Sequence, residues 1–274
     1  MPHKLIAMGA TLFFVCQCFS DRLHAQDRTE APQTVRRPFH IDLTPEQAQA
    51  YQKAQEERLH TDWAYLERYR ETNAKTPAPS PGERRVVFLG DLITENWGQK
   101  DNPIFKELGE FFPGKGYLNR GISGQTTPQM LLRLRPDVID LGASVMLLLA
   151  GTNDIAGITG PKSLAETESN IRSMKELAEF HGIRILLCSV PPAKNFWWHP
   201  SGDPSAKIIE LNQWINRYAS EQKLSFVDYY ALLVDKTGDI GQEFSIDGVH
   251  PNGKAYALMG AAVEKALTSP DPKH

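Results

Sequence analysis

Residues 145–154 read Val145-Met146-Leu147-Leu148-Leu149-Ala150-Gly151-Thr152-Asn153-Asp154. Six apolar residues in a row leave no polar face, which suits a strand covered by helices on both sides, as central strands of parallel sheets are. The run then passes through a glycine into short polar side chains, so an amide and a carboxylate are expected at the strand's carboxyl end. Outward from this stretch, four more segments read as strands, several of them apolar on both faces: Arg85 to Gly90, Gly116 to Arg120, Ile183 to Val190 and Leu224 to Tyr229. Helical patterns separate them. Ser163 and Glu166 make a capping box, Ile171, Met174 and Leu177 recur at helical spacing, and Gly182 stands where that helix should stop. A second helix is predicted over Pro204 to Glu221 with Ile208, Leu211, Trp214, Ile215 and Tyr218 facing inward, and a last one from Asn252 to Leu267. Strands alternating with helices imply right-handed βαβ units, hence a three-layer α/β/α sandwich around a five-stranded parallel sheet.

The amino-terminal quarter has a different character. Lys4, an apolar run from Leu5 to Val15 and a small residue at Ala25 predict a signal peptide over residues 1–25 and therefore export to the periplasm or the extracellular space. The run is too short to span a bilayer, so no integral membrane segment is expected after cleavage. Cys16 and Cys18 lack the preceding small residues of a lipoprotein cleavage site, and Cys188, in an apolar run, reads as a buried small hydrophobe. Residues 26–82 form a helical extension and a linker. Thr44-Pro45-Glu46-Gln47 combines an N-cap, a first-turn proline and a capping-box glutamine, so a helix is predicted to run from there to Glu71, with Leu59, Trp63 and Leu66 on one packing face. Pro77, Pro79 and Pro81 make Ala74 to Gly82 a stiff connection into a main domain spanning 83–270. At 41% apolar and 23% charged residues the chain is of ordinary globular composition, and its net charge of -3 offers no basic surface for nucleic acid.

Four polar segments follow predicted strands or precede the last helix: Gly90-Asp91-Leu92-Ile93-Thr94, Gly121-Ile122-Ser123-Gly124-Gln125-Thr126, Gly151-Thr152-Asn153-Asp154 and Asp247-Gly248-Val249-His250-Pro251-Asn252. Each alone reads as a turn or a helix cap. Together, at the carboxyl edge of a parallel sheet where ligands bind, they point to one site. Asp247 and His250 stand three apart, a spacing at which the carboxylate can reach Nδ1 and leave Nε2 free to take a proton.

In this order the four segments resemble the sequence blocks of the GDSL/SGNH ester hydrolases, and Arg85 to Leu267 resembles their acetylhydrolase-like branch throughout. The resemblance implies a flavodoxin-like SGNH hydrolase fold and cleavage of acetyl or other short acyl esters of carbohydrate or lipid, without metal or other cofactor. Carried over residue by residue, it makes His250 the general base, Asp247 its orienting carboxylate, and the Gly124 N–H and Asn153 amide donors to an oxyanion. Such donors act where charge develops in acyl transfer, and each is worth about 3 to 4 kcal/mol of barrier. Asp91 and Asp154, with no histidine or cysteine cluster beside them, are expected to cap helices or hold loops.

The chain departs from the pattern at one position. Serine follows Gly-Asp in the family's first block; here the residue is Leu92. Leucine has no nucleophilic atom, so an acyl-enzyme cannot form at residue 92, while its backbone N–H remains available as a third oxyanion donor. Thr94 and Ser123 are poorly placed substitutes. Three readings stay open: a silent relative that binds a glycan or lipid, slow hydrolysis through water activated by His250, or a changed residue in an otherwise intact enzyme. Phe196-Trp197-Trp198, after the fourth strand, presents aromatics that stack on a sugar or grip an acyl chain, or else anchor their loop in the core. Trp97 reads as packing.

Overall fold

A computed structural model of the chain describes residues 45–98, 108–198, 202–245 and 247–270. The expected signal peptide, residues 1–25, and the expected N-cap Thr44 lie outside them. Five strands, β1 (Val86–Gly90), β2 (Leu118–Gly121), β3 (Val145–Leu148), β4 (Arg184–Cys188) and β5 (Ser225–Val227), pair in parallel in the order β2-β1-β3-β4-β5. The direction in which successive strands are added reverses between β1 and β3, the crevice where doubly wound sheets bind ligands. Register aligns the strand ends: Gly90 lies opposite Gly121, and Leu89 opposite Leu148. The loops that follow all three strands therefore leave the sheet at one edge.

Alternation along each strand divides the core into two layers. Val87, Leu89, Met146 and Leu187 face one cluster, closed by α4 (Thr127–Leu134), α6 (Leu164–Phe180) and α7 (Ser205–Glu221). Val86, Phe88, Leu147 and Cys188 face the other, closed by Trp97, Phe112 and α9 (Gly253–Thr268). All five inward residues predicted on α7 are buried, and Asn252 caps α9 by accepting from the Lys254 and Ala255 N–H groups. The Ser163/Glu166 capping box is formed. The stripe on α6 differs by one residue: Leu177 is exposed and Ala178 is buried in its place. Cys188 is buried, and burial pushes its thiol up.

The amino-terminal helix is shorter than its pattern predicts. α1 (Pro45–Thr61) stops at Thr61, and a second helix, α2 (Arg70–Lys75), begins only after an irregular stretch. Asp62 accepts from the N–H groups of Leu66 and Glu67, and Tyr65 takes a left-handed φ of 55°. Carbonyls that a continuous helix would use internally are claimed by the domain: Gln125 Nε2 donates to Ala64 O at 2.6 Å and Gln129 Nε2 to Trp63 O at 2.7 Å. The predicted packing face is not formed, since Leu59, Trp63 and Leu66 are 45%, 38% and 39% exposed; Ala64 is buried instead. The proline-rich connection is held rather than free, its Pro77 carbonyl accepting from the buried Arg85.

Candidate active site

The first loop is shaped by Asp91. Its Oδ1 accepts from Ile93 N–H and caps the one-turn helix α3 (Leu92–Glu95), the N-cap role predicted for it. A Cβ at Gly90 would collide with the Thr94 side chain, and one at Gly121 with the Glu95 backbone, so both glycines are needed for α3 to sit against the sheet. Tyr256 of α9 donates to Ile93 O at 2.6 Å and fastens the same turn from the other side. Leu92 occupies the first helical position with its side chain half-buried.

The second loop carries Gly124 in a left-handed conformation, φ 72°, with open space where a Cβ would project. On α5 (Thr152–Ala156), Asn153 is buried, and its amide donates to Gln125 O at 3.0 Å and to Asp91 Oδ2 at 3.2 Å. This amide thus joins the first and second loops. Asp154 accepts from Thr127 N–H at 2.9 Å and from the Thr127 hydroxyl at 2.6 Å, holding the start of α4 as expected. Among the described residues no group of three or more His, Cys, Asp and Glu side chains is arranged to hold a metal.

One residue that the sequence pattern did not single out ties these loops together. Arg133, on α4, is fully buried; it donates to Gly90 O at 2.9 Å, Arg120 O at 2.7 Å, Asp137 Oδ2 at 3.0 Å and the Gln125 side-chain carbonyl. An arginine within Met130-Leu131-Leu132-Arg133 reads as a solvent-facing charge, yet it falls among the buried positions of an amphipathic helix. That placement was the available signal.

The fourth loop assembles as the spacing predicts. His250 Nδ1 lies 2.7 Å from Asp247 Oδ2, and Asp247 Oδ1 accepts from the N–H groups of His250 at 2.8 Å and Val249 at 3.0 Å. A carboxylate facing Nδ1 selects the Nδ1–H tautomer and leaves Nε2 to exchange a proton with a bound molecule. Ser245 braces the turn by donating to His250 O at 3.0 Å. Burial alone would raise the Asp247 carboxyl, but the hydrogen bond and charge of His250 and the two backbone donors outweigh it and hold the group down at about 2. Asp91 behaves oppositely: burial pushes it up to about 6, despite the Ile93 N–H and the nearby charge of His250. The fourth loop meets the carboxyl edge of the sheet through the loop after β4, whose Trp197 indole N–H donates to Asp247 Oδ2.

The aromatic loop divides its tasks. Phe196 is 1% exposed and belongs to the core, so it anchors the loop and is not available to stack on a ligand. Trp197 is partly exposed, and its indole N–H donates to Asp247 Oδ2 at 3.0 Å. The Trp198 ring lies 5.3 Å from the His250 ring. Trp97 is buried in the second core layer, as its packing role requires.

Comparison with known proteins agrees with this arrangement. The crystal structure of a GDSL-like lipase from Bacteroides thetaiotaomicron superposes with a TM-score of 0.70 at 40% identity, covering 75% of this chain and 98% of that one. An isoamyl acetate-hydrolyzing esterase of Saccharomyces cerevisiae is 25% identical over 213 residues, 69% of this chain and 88% of the yeast protein. An uncharacterized lipoprotein of Bacillus subtilis is 31% identical over 121 residues, 40% of this chain and half the length of that protein. With residues 88–258 matching the family model, the four loops and the parallel sheet that carries them place the chain in the GDSL-like lipase/acylhydrolase family.

Proposed function

We propose that the site is built to hydrolyse acetyl or other short acyl esters of carbohydrate or lipid, and that Leu92 deprives it of its serine nucleophile. Asp247 orients His250, and His250 Nε2 is the general base. Gly124 N–H, Leu92 N–H and the Asn153 amide receive the oxyanion. Both hydrogens of that amide are engaged, and the longer contact, 3.2 Å to Asp91, is the one a substrate oxygen would replace. The observation that carries the reading is the 2.7 Å pairing of Asp247 with His250 at the edge where residue 92 begins α3. The yeast relative's name, an esterase acting on isoamyl acetate, supports a short acyl group. Export follows from the amino-terminal pattern and agrees with the lipoprotein relative. No helix among the described residues is long and apolar enough to cross a membrane.

With Leu92 in place the route open to catalysis is attack by a water that His250 deprotonates, with oxyanion donors and binding alone supplying on the order of a thousandfold over water. The alternative is a silent family member that holds a glycan or lipid ester in the same cleft; Leu92 itself favours it. The paired assay of the native chain and Leu92→Ser on p-nitrophenyl acetate and on acetylated sugars separates the two. Serine is expected to raise turnover by on the order of a thousandfold or more. A folded Leu92→Ser protein that stays inert across the panel overturns the esterase reading, and a native chain as fast as the variant overturns the role given to residue 92.

A further inference from the structure

The carboxylate of Asp247 has four donors around it, and they do not come from one place. The N–H groups of Val249 and His250 and the imidazole Nδ1 all belong to its own turn. The fourth, the Trp197 indole, arrives from a loop fifty residues away in sequence. It shares Oδ2 with the imidazole: Trp197 Nε1 lies at 3.0 Å and His250 Nδ1 at 2.7 Å. The Asp247 side chain is completely buried while Trp197 is 36% exposed, so the indole forms the solvent-facing cover of the carboxylate. The rings around it are staged. Phe196 is locked into the core, Trp198 packs on it at 5.2 Å, and Trp197 meets Trp198 edge to face at 5.2 Å and 89°. Trp198 in turn lies 5.3 Å from the His250 ring at 32°.

Within its own turn two backbone N–H groups hold Oδ1, but Oδ2 is held by the imidazole alone, and the indole adds to that oxygen a donor from a second, independently anchored element. We infer that Trp197 is a positioning residue for the Asp247–His250 pair: its indole N–H, held by the Phe196 anchor, sets where Oδ2 stands and shares that oxygen's negative charge with the imidazole. This replaces the stacking role that an exposed tryptophan on a site loop suggests. Its meaning for catalysis rests on the proposed function, but the hydrogen bond itself does not.

The test therefore has two arms. In the native chain, the Nδ1–H proton and titration of His250 are followed by nuclear magnetic resonance in the native protein and in Trp197→Phe, which keeps an aromatic ring and deletes the donor. The carboxylate paired with the His250 ring is that of Asp247, 2.7 Å from Nδ1. Losing a donor from Oδ2 concentrates negative charge on the imidazolium partner, so the His250 midpoint is expected to rise by about 0.5 to 1 pH unit. Benzothienylalanine at 197, which preserves the bicyclic shape without the N–H, should reproduce the shift, and it stands in should the phenylalanine form fold poorly. In a Leu92→Ser background, Trp197→Phe is expected to lower kcat about tenfold with KM within about twofold, and to move the acid limb of kcat/KM upward with the resonance midpoint. An unmoved His250 midpoint and Nδ1–H resonance overturn the inference, as does a rise in KM with kcat intact, the mark of substrate stacking. A moved midpoint in a chain whose serine variant is inert upholds the positioning role and removes the esterase reading.

Discussion

Replacing Arg133 with methionine is the sharpest probe of how the site is held. The substitution keeps an unbranched apolar stem and removes donors to Gly90 O, Arg120 O, the Gln125 side chain and Asp137. Not every acceptor is orphaned, because Gly90 O still receives Ile122 N–H at 3.0 Å and Asp137 Oδ1 still receives the Asn73 amide at 2.7 Å. Removing one partner of a buried ion pair costs roughly 3–5 kcal/mol, and each acceptor stranded without a donor adds about 1–3 kcal/mol. Against this, a guanidinium no longer has to be desolvated. A net loss of about 4 kcal/mol follows, which for a domain of about 150–250 residues lowers Tm by roughly 8–16 °C. Adding Asp137→Asn, which neutralises the abandoned carboxylate and can keep its contact with Asn73, should return about half of that loss. Thermal and urea unfolding of the native protein and the two variants measure both effects. A single variant within about 2 °C of native, or a double variant no more stable than the single, refutes the reasoning.

Two further outcomes are expected. Asp91 is pushed up from 3.8 to about 6, so its contribution to stability is complete below pH 3.8 and is lost as pH rises through about 6. Urea unfolding from pH 3.5 to 7 should therefore show a decline of up to about 3 kcal/mol that is absent in Asp91→Asn, and parallel profiles would contradict it. Gly124→Ala places a side chain at φ 72°, where it meets no neighbour. It should cost only about 1 kcal/mol of stability while lowering turnover of the Leu92→Ser form at least tenfold, and undiminished turnover would remove Gly124 from the oxyanion site.

The centre of the sheet was legible because β1, β3 and most of β4 are buried on both faces, and burial of that kind writes itself as uninterrupted apolar runs. The site was legible for a related reason: Asp247 and His250 find each other within one turn, so local spacing alone specifies their geometry. What escaped the sequence depends on partners distant along the chain. α1 ends ten residues before its pattern does because Gln125 and Gln129 draw the Trp63 and Ala64 carbonyls out of helical geometry. Arg133 reads as surface charge until three carbonyls converge on it, and Trp197 reads as a stacking residue until Asp247 arrives beneath it.

The contacts that shape the first loop do not depend on the side chain at residue 92. The first loop is held by the Asp91 cap on Ile93 N–H, by Gly90 and Gly121 admitting α3 to the sheet, by Arg133 on Gly90 O and by Tyr256 on Ile93 O. None of these uses the side chain of residue 92, which is half-buried and outside both core layers. Exchanging leucine for serine there removes modest apolar contact and opens no cavity in the packed interior, so its stability effect belongs with the small changes of under about 1 kcal/mol typical of such positions. The shape of the first loop is therefore independent of the residue-92 side chain, and the Leu92→Ser variant should fold with the Asp247–His250 pair already formed.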